Sequence, residues 1–335
     1  MNQHMTLEEL VIASHDYSSK IRLQYPLTDE SLERIKASTK QIMIPSYFSP
    51  DECKSVAAAM ERTPNATLIQ LGYVNNLDFL EYFPKLISLR LEGPYDSLSQ
   101  LKQLLYLQDL TIDIGKPGTV TLNDVAELKQ LKRLALSGSA YKGVKATRQL
   151  VASMKTLCHL PHLQVLAFNG LTLPDLEVIP HIPSLRSLTL TQCSIADLSA
   201  IGMSKTLLHL HIGNCLTQSL AFITPLSSLQ WLSLSYLSKV DHLPSMSSLS
   251  CLRKLELDTL VNLKDFSPIY GCPSLEDLVL TAPKNVEPDD LSFLRDHSTL
   301  KRARIELGSR KRNVRVKNLL QLPSAGARSR FVFGI

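Results

Sequence analysis

The sequence predicts an α/β solenoid, a stack of short coils with a parallel sheet on one side and short helical turns on the other. Three observations predict it. A six-residue phrase, L-x-x-L-x-L, recurs along most of the chain at a period near 22 residues. The fourth and sixth positions of the phrase alternate as the inward side of a short strand does. The stretch between one phrase and the next is too brief for a long return helix.

The clearest copies are Leu185-Arg-Ser-Leu188-Thr-Leu190, Leu207-Leu-His-Leu210-His-Ile212, Leu229-Gln-Trp-Leu232-Ser-Leu234, Leu252-Arg-Lys-Leu255-Glu-Leu257 and Leu275-Glu-Asp-Leu278-Val-Leu280. The array opens at Leu86, Leu107, Leu131 and Leu163, and its last copy begins at Leu300. With earlier strands at 42–44 and 68–71, about ten to twelve coils are expected. No coil can bury its leucines alone, so each needs its neighbours. The pattern is that of a leucine-rich-repeat solenoid with a parallel concave sheet and short helical or 3₁₀ turns on the convex side.

The beginning of the chain repeats less clearly. Ile21-Arg-Leu23 reads as a short strand, and Thr28 as the N-cap of a helix over 28–35 with acids in its first turn. Gln41-Ile-Met-Ile44 reads as the next strand. Ser49-Pro-Asp-Glu52 opens a second helix with a capping box, and Pro64 ends it. Thr67-Leu-Ile-Gln-Leu71 returns as a strand. Residues 1–65 are therefore read as divergent N-terminal repeats forming a cap with helices, 66–307 as the repeat array, and 308–335 as a basic C-terminal cap and tail. The step from Leu131 to Leu163 is the longest. Within it Val144, Leu150, Val151, Met154 and Leu157 follow helical spacing. At the far end, Asn313-Val-Arg-Val-Lys317 alternates and reads as a last edge strand shielded by charge.

Ile195-Ala-Asp-Leu-Ser-Ala-Ile201 and Leu263-Lys-Asp-Phe-Ser-Pro-Ile269 share the phrase apolar-x-Asp-apolar-Ser-x-apolar. Asp and Ser favour a tight turn or helix start there. With the Pro-Ser-Leu lead into the next strand, the phrase resembles the 22-residue repeats of the internalin-like leucine-rich-repeat family, over roughly residues 65–306. The resemblance implies a curved solenoid and protein recognition on its concave face. The chain departs from the family where Asn would close each strand: it has Cys193, Cys215, Leu237, Leu260 and Pro283 instead. It also shows neither the secretion signal nor the wall anchor of the surface-exposed members. The run at 10–13 follows two acids and no Lys or Arg, unlike a signal peptide. No apolar stretch has the length of a membrane span.

Composition suits a folded chain, with 44% hydrophobic and 20% charged residues. Charge is uneven. Residues 301–335 carry ten Lys or Arg and one acid, a net +9, whereas the remaining 300 residues net −4. Such an end is a solvated cap or a handle for something acidic. The six cysteines form no CxxC pair, which argues against a zinc site and for a reducing compartment. Cys193 and Cys215 fall where strands end, and are expected to be buried, reduced and structural.

The sequence offers no GxSxG, Gly-rich phosphate loop or HExxH. The reading is a non-enzymatic scaffold without catalytic residues, metal or cofactor. His209 and His211 point the same way from one strand and are read as exposed contacts rather than half of a metal site. With the single Trp, Trp231, and with Tyr236 at a strand exit, they form an aromatic cluster expected to face solvent. Arg253, Lys254, Glu256 and Asp258 are placed as its polar rim. Binding hot spots favour Trp, Tyr and Arg. The expected partner is a protein bound through the concave sheet. A monomer is expected, with no small-molecule substrate and no nucleic acid. The location expected is cytoplasmic, or delivery by a bacterium without a cleavable signal, as for an effector. The alternative is nucleic-acid or anionic-surface binding through the basic C-terminal segment.

Overall fold

The structure, a computed structural model, describes residues 19–72, 76–93, 95, 97–113, 121–138, 144–145, 148–281 and 286–326. The run at 10–13, Tyr141, Pro283, Arg328, Arg330 and residues 331–335 lie outside them. The described residues fall into two compact units. One holds 19–172 with 182–184, the other 173–181 with 185–326.

In the first unit the strands are β1 (Lys20–Arg22), β2 (Gln41–Pro45), β3 (Thr67–Leu71), β4 (Ser88–Glu92), β5 (Asp109–Asp113), β6 (Arg133–Ser137), β7 (Val144–Lys145) and β8 (Val165–Asn169). All but β7 pair in parallel, in chain order. Two helices stand between the early strands. Helix α1 (Asp29–Glu33) is capped by Thr28 and α2 (Pro50–Met60) by Ser49. Both caps form reciprocal boxes, with Thr28 and Ser31 as partners in α1 and Ser49 and Glu52 in α2. The bonds from Ser49 hold the Glu52 carboxyl below the usual carboxylate range. Later return paths shorten to 3₁₀ turns at Asp78–Tyr82, Ser99–Gln103 and Asp124–Glu127.

The long step does contain a helix, but a shorter one than its spacing predicts. Val144 belongs to β7, and α3 covers Arg148–Ser153 before a 3₁₀ turn at Met154–His159. Leu150, Met154 and Leu157 are buried. The Ser153 hydroxyl anchors the segment by accepting from the Leu122 amide at 2.9 Å.

Strand β9 (Leu171–Leu173) pairs with β7. The second unit then carries β10 (Ser187–Thr191), β11 (Ser194–Ile195), β12 (His209–Gly213), β13 (Trp231–Ser235), β14 (Lys254–Asp258), β15 (Asp277–Thr281) and β16 (Arg302–Glu306). Apart from β11 these pair in parallel without slippage, so that Leu188, Leu210, Leu232, Leu255 and Leu278 share one row. Each of those leucines is fully buried. Burying one is worth about 1.5–3 kcal/mol relative to exposure, and the row repeats that gain at every coil.

The Asp-x-Ser phrase builds the turns as its chemistry requires. Asp197 Oδ1 accepts from the Ser199 amide at 2.7 Å, and Asp265 Oδ1 from the Ser267 amide at 2.8 Å. These bonds depress both carboxyl pKa values. They start the 3₁₀ turns Ser199–Met203 and Ser267–Gly271. A second staple joins coils. The hydroxyl before the first leucine of a phrase donates to a carbonyl of the coil before it, as Ser274 does to Ser250 O at 2.7 Å and Thr299 to Leu275 O at 2.9 Å.

Strands of the second unit also share one exit. Gln192, Asn214, Tyr236 and Thr259 all adopt left-handed backbone, with φ between 52 and 55°. That conformation is uncommon for a residue with a side chain. Here it lets each amide donate to the last carbonyl of the next strand, at 2.8 Å for Gln192 to Gly213 and 2.9 Å for Tyr236 to Asp258.

The edge strand expected at 313–317 is instead part of helix α4 (Arg310–Leu320). Ser309 caps it by accepting from the Arg312 amide, and Val316 and Leu320, four apart, are its buried pair. Arg312 and Arg315 reach back to Glu287 and Asp289. Helical spacing and a cap thus prevail over a short alternation of valines with charges. The backbone of 321–325 then lies along β16, where the Ala303 amide donates to Pro323 O at 2.9 Å.

Candidate binding surface

On the strand face opposite the leucines, β12 to β14 carry His209, His211, Trp231, Lys254 and Glu256. Strand pairing sets His209 beside Ser187 and Trp231, and Trp231 beside Lys254. It likewise sets His211 beside Thr189 and Ser233, and Ser233 beside Glu256.

The side chains use that register fully. Ser187 Oγ and His209 Nδ1 share a 2.7 Å hydrogen bond, and His211 Nδ1 and Ser233 Oγ one of 3.0 Å. The His209 and Trp231 rings meet edge to face at 5.0 Å. The Lys254 ammonium lies 3.7 Å from the Trp231 ring centre and 2.9 Å from Glu256 Oε1. A cation over an indole face is attracted by the ring quadrupole. Gly213 keeps room for the His211 ring, because a Cβ there would stand 2.9 Å from His211 Nε2.

Exposure corrects the sequence reading at this point. His209, His211 and Trp231 were expected to face solvent, but they are 0%, 4% and 4% exposed. Glu256, expected on a polar rim, is 4% exposed, and Lys254 is half-buried. The reason is lateral packing: each side chain lies against its neighbours in register. Burial sets their electrostatics. It holds the His209 pKa well below the imidazole norm, helped by the charges of His211 and Lys254. It lowers His211 to about 3, against the raising effect of its bond to Ser233. Both rings are neutral near pH 7.

Two sequence-read contacts do face water. Tyr236 is 55% exposed, turned outward by its left-handed backbone, and Arg253 is exposed. The structure adds two residues that sequence reasoning missed. Leu216 and Val261, three positions beyond the ends of β12 and β14, are 60% and 50% exposed. Three consecutive strand exits thus each present a large apolar side chain. Their signal in sequence was an apolar residue just outside the strand, where the repeat needs none.

Cys193 and Cys215 are buried just past the ends of β10 and β12, and neither forms a disulfide. Cys193 Sγ donates to Thr191 O at 3.2 Å. A hydrogen bond between its thiol and Cys193, then burial, push the Cys215 pKa far up. Cys215 is therefore not a reactive thiolate. Among the described residues, no group of three or more His, Cys, Asp or Glu could hold a metal ion, and no helix is long and apolar enough to cross a membrane.

No protein-family model matches the chain, and no curated protein matches it. Solved structures do. An internalin, InlF, of Listeria monocytogenes is 16% identical, covers 90% of this chain and 89% of its own, and superposes with a TM-score of 0.53. A leucine-rich-repeat protein of Leptospira interrogans is also 16% identical, with 89% and 92% covered and a TM-score of 0.44. The stacked parallel strands, the 3₁₀ returns and the first of these superpositions agree: the chain is a leucine-rich-repeat solenoid with the fold seen in internalins.

Proposed function

We propose that the protein is a non-enzymatic scaffold that binds a partner protein on the strand side of its second unit. The contact is centred on Tyr236 and includes Leu216 and Val261. The observation that supports it is that each of three consecutive strand exits, after β12, β13 and β14, carries a large exposed apolar side chain. Interfaces favour aromatic and Arg anchors over Lys and Glu. Trp231, His209, His211 and Glu256 are buried and Lys254 half-buried, so these residues are not its outermost contacts. None of the six cysteines is in a disulfide, which favours a reducing cytoplasm, whether that of the cell that makes the protein or of one to which a bacterium delivers it.

Affinity capture from lysate tests this at low and high salt. The Tyr236→Ala variant is expected to lose at least tenfold of the captured partner. Tyr270→Ala, in a 3₁₀ turn and equally exposed, is expected to lose none. Equal loss in both variants contradicts the proposal.

One observation favours a second reading. Helix α4 exposes Arg310, Lys311 and Lys317 together, a surface suited to nucleic acid or an anionic surface. Capture that vanishes at high salt and ignores Tyr236 would favour it, because phosphate binding weakens steeply as salt rises.

A further inference from the structure

The row of buried leucines ends short. Leu188, Leu210, Leu232, Leu255 and Leu278 fill the fourth position of successive phrases, and the next residue in register is Ala303 on β16. Alanine lacks the reach of the leucines before it. Among the described residues β16 is also the last strand of its sheet, so no further coil packs on its far side. Helix α4 covers that side with Val316 and Leu320, and the cover is incomplete. Ile305, at the sixth position, is only half-buried, whereas Leu234, Leu257 and Leu280 at the same position are at most 1% exposed. Between β16 and α4 lies a cavity of about 180 Å³, walled by Ala303, Ile305, Val316, Leu320 and Leu322.

Size and lining together define what fits. An apolar cavity of about 150 Å³ holds benzene, so this one takes an apolar body of about six carbons. The cavity opens where its lining is exposed, at Lys317 and Ser324. Two cations line it, Arg304 and Lys317. Arg304 Nε donates to Glu306 Oε1 at 3.0 Å, so that charge is matched within its own strand. Lys317, exposed in the last turn of α4, supplies the net positive charge at the opening. One net cation suits one negative charge on a ligand, and the nearby Glu306 carboxylate disfavours a second.

We propose that the cavity between β16 and α4 binds a small monocarboxylate with an apolar body of about six carbons, its tail against Ala303 and Ile305 and its carboxylate at Lys317. The site stands on the cavity alone and does not depend on the strand-exit surface. An apolar cavity left empty lowers stability in proportion to its volume, so a ligand that fills it replaces contacts the missing leucine would have made.

Hexanoate is the probe, titrated into the full chain and followed by calorimetry. Wild type is expected to bind it about a hundredfold tighter than acetate, because four more methylenes leave water. 1-Hexanol is expected to bind about threefold more weakly than hexanoate, the modest margin of an exposed charge pair. Ala303→Leu extends the leucine row into the cavity. It is expected to cut hexanoate affinity at least tenfold while the urea midpoint holds or rises. Lys317→Gln is expected to erase the margin of hexanoate over hexanol and to bind hexanol as wild type does. No saturable binding of hexanoate by wild type up to about 10 mM, undiminished binding by Ala303→Leu, or an unchanged margin in Lys317→Gln would overturn the proposal. Should Ala303→Leu not fold, methyl NMR of wild type decides. The signals of Ile305, Val316 and Leu320 are expected to move as hexanoate is added, and unmoved signals overturn the site.

Discussion

Replacing Trp231 by alanine is expected to lower the unfolding free energy by about 3–5 kcal/mol, the range for removing a large aromatic from a packed site. The indole is 4% exposed, edge-on to His209 and covered by the Lys254 ammonium. Its removal leaves a hole against His209 and takes the aromatic face from Lys254. A surface aromatic of the kind expected from the strand pattern would behave differently, because substitutions away from packed features usually stay within about 0.5 kcal/mol. Urea denaturation followed by circular dichroism separates the two. A midpoint unchanged from wild type would show that the indole is not packed as described. Trp231→Phe, which keeps a ring beside His209, is expected to recover much of the loss.

The second large effect belongs to the first unit. Phe168→Ala is expected to cost about 3–5 kcal/mol as well. Phe168 is wholly buried and occupies the sixth position of Leu163-Gln-Val-Leu166-Ala-Phe168, where most coils carry Leu or Ile. It follows the longest step of the array and supplies bulk next to Leu136 on β6, its partner in register. Phe168→Leu restores the residue that the neighbouring coils use. It is expected to cost less than about 1.5 kcal/mol, the usual limit for apolar swaps of similar volume. Equal losses from the two variants would mean that ring shape, not filled volume, decides packing there. The measurement is again the urea midpoint by circular dichroism, since Trp231 reports only the second unit.

How much of this was legible in the sequence differs between fold and surface. The strand positions were, because a leucine row can be buried only in one register, and the period set that register at every coil. The caps at Thr28 and Ser49 were, because the side chain that accepts the amide is the residue itself. Helix α4 was misread. Asn313-Val-Arg-Val-Lys317 alternates over five residues, but Ser309 before it and the pair Val316 and Leu320 already carried a helix start and a four-residue spacing. The surface was half legible. Alternation places His209, His211 and Trp231 on the face opposite the leucines, yet it cannot say that Ser187, Ser233 and Lys254 pack close enough to seal them. Tyr236 was legible because a residue after a strand end has no ladder to lie in. Leu216 and Val261 were passed over because they lie outside the repeated phrase.

The proposed contact surface is tested most directly by a photoreactive amino acid placed at 236 and, in a separate protein, at 270. Both positions are 55% exposed, one at a strand exit and one in a 3₁₀ turn. On illumination with cell lysate, the expected result is a discrete protein adduct from position 236 that persists at high salt, and none from 270. An adduct from 270 alone, or none from 236 while partner capture by wild type is undiminished, would contradict the placement of binding on the strand-exit rim.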